Sequence, residues 1–150
     1  MSATGKNYVV DDFTTVYDDP IMAPGTVVEA EGYEYRFIQC GDTDTATAGT
    51  PLSMDATDSW KGCYDLSDGS AILGVVMTTL ETGEYGFVMR SGIYNTCTVQ
   101  DAAALGGALV ASADGGFRCA TAGELLPTSG VSMEVVAQAA TSVAVYVQGV

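Results

Sequence analysis

The side chains able to do chemistry in this chain are mostly carboxylates. Asp42-Thr43-Asp44 and Asp55-Ala56-Thr57-Asp58 set pairs of hard oxygen donors close together, as a calcium ligand set requires. The EF-hand order of acids with its central Gly and closing Glu is missing, as is the Gly-rich calcium-binding nonapeptide, so these acids read as solvated loop residues. A pair of carboxylates can also hydrolyse a glycosidic bond. With 19 Asp and Glu some pair is inevitable, and the sequence singles out none. Lys6 or Lys61 could deprotonate a serine nucleophile, yet neither G-x-S-x-G nor S-x-x-K occurs. No Gly cluster runs into Lys-Ser or Lys-Thr, so there is no phosphate-cradling loop. Asn95-Thr96 is followed by Cys97 and is not a glycosylation sequon. The chain contains no histidine, which excludes Ser-His-Asp and Cys-His catalysis, His-based zinc sites and a histidine pH switch. No catalytic, metal or cofactor site is expected, and the chain is not read as an enzyme.

Cysteine chemistry points the same way. Cys40, Cys63, Cys97 and Cys119 stand 23, 34 and 22 residues apart, so the close pairs of a zinc ribbon are absent. Their neighbours are small or apolar, as in Phe37-Ile38-Gln39-Cys40 and Phe117-Arg118-Cys119-Ala120. Four free, buried thiols are expected of a protein synthesised in the cytoplasm. The first residues lack the basic and apolar regions of a secretory signal, and no apolar run approaches the ~20 residues of a membrane span.

The balance of charge restricts partners. Nineteen acids against five Lys and Arg give a net charge of −14. Five scattered cations cannot neutralise a phosphate backbone, and an anionic membrane surface repels such a chain. Neither nucleic acid nor membrane is expected as a partner. Mean hydropathy is +0.22 and charged residues make up only 16%, which argues for a packed core rather than disorder.

Eighteen glycines punctuate short β-prone runs throughout the 150 residues, the pattern of a single all-β sandwich or barrel. Asp18-Asp19-Pro20 and Pro24-Gly25 break the chain early, which divides it into an N-terminal extended arm, residues 1–23, and a globular body, residues 24–150. In the body, 26–30 and 33–40 read as a hairpin about Glu31-Gly32, since Tyr33, Tyr35 and Phe37 alternate with Glu34, Arg36 and Ile38. Residues 41–59 read as a loop with a short extended piece near 50–54, and 60–70 as a loop holding at most one strand. Further strands are expected at 72–79, 85–90 and 93–99 with a break at Ser91-Gly92, then at 108–111 and 117–120 about Asp114-Gly115-Gly116. Two closing strands follow, at 131–136 and 142–147, around Ala139-Ala140-Thr141. Residues 101–105 are the one helix-prone segment, too short to hold a helix alone.

The order of these segments resembles the small capsid decoration, or cement, proteins of tailed bacteriophages. The resemblance runs through Pro24-Gly25-Thr26-Val27-Val28, Tyr35-Arg36-Phe37-Ile38-Gln39-Cys40-Gly41 and Ala48-Gly49-Thr50-Pro51-Leu52. It continues in Gly74-Val75-Val76, Thr82-Gly83-Glu84-Tyr85-Gly86-Phe87-Val88 and Ser91-Gly92, then in 107–116 and Gly130-Val131-Ser132-Met133-Glu134-Val135. It covers roughly residues 24–150. What it implies is a compact β-barrel or β-tulip domain on the exterior of a virion capsid, with the major capsid protein as partner and a homotrimer as the assembly. The arm lies outside the resemblance and is expected to contact the capsid and to be mobile in the free protein, with Tyr8, Val9, Val10, Phe13, Val16 and Tyr17 as anchors and Asp11, Asp12, Asp18 and Asp19 keeping it soluble; the other reading makes Tyr8 to Tyr17 the first strand of the domain. Two other readings stand beside it: a phage fibre or adhesin module binding a host-surface glycan through Trp60, Tyr64 and the long loops, and, last, a carboxylate enzyme.

Overall fold

The computed structural model describes residues 12–41, 45–54, 60–63, 71–112, 115–121, 129–134 and 136–150. Among them there is no helix; the fold is all-β, with ten strands joined in one sheet. Strands β1 (Val27–Ala30) and β2 (Tyr33–Cys40) form the expected hairpin. Glu31 and Gly32 both take positive φ, 52° and 82°, the two-residue turn whose twist matches that of the flanking strands. β3 (Pro51–Met54) is the short extended piece inside the long loop, and β4 (Lys61–Cys63) is the strand within the ambiguous stretch after Trp60. β5 (Ile72–Val76) follows, then β6 (Tyr85–Val99), β7 (Ala108–Ser112), β8 (Gly116–Cys119), β9 (Gly130–Ser132) and β10 (Ala140–Gln148). The closing strands differ from expectation in length: β9 is shorter, and β10 starts where a turn was expected.

Ser91-Gly92 does not break the chain. The expected strands at 85–90 and 93–99 are one 15-residue strand, β6. Gly92 adopts a φ of 141°, and a Cβ there would lie 2.1 Å from the Tyr33 ring, so glycine lets the strand bend under an aromatic side chain without ending it. The strand also changes partners at this point. Its first part pairs with β2 on one side and β5 on the other, and its second part with β10 and, at Val99, with β8. Two circuits of strand pairing result, one through β2, β4, β3, β5 and β6, the other through β6, β10, β9, β7 and β8. They share only β6.

Each circuit has its own core. Ile38, Cys40, Leu52, Leu73, Val76, Leu80 and Val88 fill the first. Val99, Leu109, Ala111, Phe117, Val143, Val145 and Val147 fill the second, together with Ile72, Val75 and Met89. Neighbouring residues of β5 and β6 therefore belong to opposite cores, which is why β5 is buried along its whole length instead of alternating. Residues 101–105 make no helix; Ala103 exchanges backbone hydrogen bonds of 2.8 Å with Val136.

Close approach of β5 to β6 depends on Gly74, where a Cβ would sit 2.4 Å from the Met89 carbonyl oxygen. Backbone cannot yield as a side chain does, so Gly74→Ala is expected to cost about 1–3 kcal/mol. Urea denaturation checks this, and an unchanged midpoint would show that the two strands can separate freely.

Candidate functional site

Asp42, Asp44, Asp55 and Asp58 lie outside the described residues, as do Lys6 and Tyr64. No group of three or more His, Cys, Asp or Glu converges among the described residues. Lys61 lies in β4 and is engaged by a partner. An open groove of about 270 Å³ runs past Glu134, Gln138, Ala140 and Ser142. Its carboxylate is already committed, since Glu134 Oε1 accepts the Ala144 N–H at 2.8 Å. Cys40, Cys97 and Cys119 are free thiols; Cys40 and Cys97 are buried, Cys119 half-buried.

Three of the six expected arm anchors lie against the body, while Tyr8, Val9 and Val10 fall outside the described residues. Asp12 accepts the Thr14 N–H at 2.8 Å and the Thr14 hydroxyl, which closes a turn and holds its carboxyl below the usual range. The turn presents Phe13 to the β2–β6 sheet, stacked on Tyr35 at 3.9 Å and edge-on to Phe87 at 5.1 Å. Tyr17 exchanges backbone hydrogen bonds with Tyr85 and meets the Phe37 ring edge-on, while Val16 packs against the first core. These side chains thus lie over Phe37 and Phe87, the pair facing each other across β2 and β6.

Trp60 is half-buried and packs against the first core. Its ring lies on Gly25, where a Cβ would come within 2.6 Å of it, and the Arg36 guanidinium stands 4.5 Å from its centre. Arg36 is only 6% exposed. Its Nε has no acceptor, and burial followed by repulsion from Arg90 lowers its pKa, with Glu34 opposing. Glu34 itself is ion-paired to Arg90.

The feature that sequence reasoning missed is the outer face of the second circuit. Val143, Val145 and Val147 of β10 point into the core, so Ser142, Ala144, Tyr146 and Gln148 point out. Tyr146 lies opposite Ile93 of β6 on one side and Val131 of β9 on the other, and Val131 lies opposite Ala108 of β7. This row crosses four strands without a charge, and Ile93 and Tyr146 are each 39% exposed. Met133 and Leu105 are exposed beside it, placed by hydrogen bonds from Met133 N–H to Ala144 and from Gly106 N–H to Ser132. Most of the described acids are elsewhere, on the segment before β1, the β1–β2 hairpin and the turn at Glu81 and Glu84. The signal was present in the sequence: 91–100 and 139–150 contain no charged residue.

Three expectations follow. Truncating Phe13 to Ala removes part of the cover over Phe87 and should cost about 1–2 kcal/mol, read as a lower denaturation midpoint. Burial pushes the Cys97 thiol from its ordinary value of 9.0 up to about 12. The unfolded chain ionises first as pH rises, so this thiol's contribution is intact below pH 9.0 and lost progressively between there and about 12. Cys97→Ala should flatten that part of the stability profile. Alkylation near pH 8 should spare Cys40 and Cys97 in the folded protein and reach all four thiols once it is unfolded.

No protein-family model matches the sequence, and no curated protein is significantly similar to it.

Proposed function

We propose that this protein is a non-catalytic structural component of a tailed-phage virion. In this reading it binds the outer surface of the capsid as a homotrimer and cements neighbouring major capsid proteins against the pressure of packaged DNA. The observation that carries the reading is the uncharged row Ile93–Tyr146–Val131–Ala108 on an otherwise acidic molecule. Contiguous exposed apolar surface rimmed by polar side chains is the usual mark of a protein–protein contact, and aromatic residues near its centre are the usual anchors. A cement acts by mass action: subunits cannot separate or unfold without first losing the bound protein. The remaining negative charge keeps free copies apart and away from DNA. The glycan-binding alternative is weakened by Trp60, whose ring is held against Gly25 and Arg36.

Heating particles with and without the protein tests the role. Particles that carry it should rupture at a higher temperature, and equal rupture temperatures would end the cement reading. Tyr146→Lys and Ile93→Asp test the surface. Both side chains point outward, so the melting temperature should barely change. Binding to stripped shells should weaken roughly 30-fold or more for an anchor residue.

A further inference from the structure

Arg36 is charged, almost fully buried and unpaired. Among the described residues it makes no hydrogen bond or ion pair, whereas Arg90 holds Glu34 and the Val150 carbonyl, Arg118 holds the Cys119 carbonyl, and Lys61 is engaged. A guanidinium cannot shed its proton at any ordinary pH, so it cannot escape the penalty of burial by becoming neutral. Stacking on one indole offsets only a small part of that penalty. The nearest acid on the same strand, Glu34, is already spoken for by Arg90. Among the described residues, the fold therefore holds a cation in place and gives it no hydrogen-bonded anion, with Glu34 acting on it only through space.

We propose that Arg36, stacked on Trp60, is a carboxylate-binding site, open to a small organic acid or to an acidic side chain of a partner protein. A planar guanidinium pairs with a carboxylate through two parallel hydrogen bonds, and the Trp60 ring fixes the plane in which they form. Val27 of β1 and Val88 of β6 are the cross-strand neighbours of Arg36, so its flanks are apolar, and burial strengthens such a pair there even with Glu34 and Arg90 nearby. A monoanion fits better than phosphate. One unpaired guanidinium balances one charge, and the field of a −14 protein opposes a dianion. The site lies on the first circuit and does not depend on the role assigned to the uncharged face of the second.

Trp60 is the chain's only tryptophan, so its fluorescence reports on this site alone. The full chain is titrated with acetate at constant ionic strength, with chloride and inorganic phosphate as parallel titrants. The expected result is a saturable change in emission with acetate, half-complete in the millimolar range, and none with the other two. A blocked peptide carrying a single glutamate identifies the source: saturation with it assigns the site to a partner's side chain, and saturation with acetate alone to a free acid. Arg36→Met should abolish the response while melting no lower than the parent, because it removes an unpaired buried charge at nearly constant volume. Arg36→Lys keeps the charge but loses the fork, so its half-saturation should rise at least tenfold even if the Met variant fails to fold. A parent that does not saturate with acetate overturns the proposal. So does a response that chloride or phosphate reproduces, or one that Arg36→Met retains.

Discussion

One strand has to serve two cores. β6 spans 15 residues, and both circuits of pairing close through it. Its successive residues Val88 and Met89 pack into different clusters, so neither core can form fully while the other is absent. A long strand with unpaired edges would invite other chains to pair with it. Here β2 and β5 take the edges of the first part, β10 takes one edge of the second, and β8 meets the other at Val99. Gly74 and Gly92 meet the steric terms of this arrangement: the one lets β5 approach the Met89 carbonyl, the other lets β6 turn beneath Tyr33.

The segment before β1 is drawn into the same construction. Phe13 and Tyr17 cover the aromatic pair Phe37 and Phe87 at the junction of β2 and β6, and the Tyr17–Tyr85 bridge ties their backbone to the start of β6. Their apolar surface is shared with the body, so a contact with another protein made by residues 12–17 has to compete with this packing.

Charge is unevenly spread over the described residues. Most of their acids stand before β1, on the β1–β2 hairpin and around Glu81 and Glu84, Asp101 and Glu134 flank strands of the second circuit, and β10 and the second part of β6 have none. Uncharged β surface is prone to self-association, and a high net charge on the same molecule limits it by long-range repulsion. The molecule thus keeps a face free for contact without leaving the whole surface adhesive. Arg36 is the opposite case, a cation enclosed in a chain of net negative charge, its guanidinium stacked on Trp60 and its Nε without an acceptor.

By itself the sequence determined the all-β class, the β1–β2 hairpin and most strand positions. These depend on local chemistry: alternation in Tyr33–Cys40, the turn geometry open to Glu31-Gly32, and glycines between β-branched runs. It determined, too, the net charge of −14. Only the tertiary structure decided that Ser91-Gly92 continues a strand, because a glycine's bend cannot be told from a break until Tyr33 is seen against it. Only the structure joined Ile93, Tyr146, Val131 and Ala108 into one row, since they lie on β6, β10, β9 and β7, and register between distant strands is set by pairing. Arg36 looked like the polar side of a strand. It became a buried cation because Trp60, held by Gly25 from a separate part of the chain, closes over it. Local preference fixes which face of a strand a residue occupies, and long-range packing decides what that face meets.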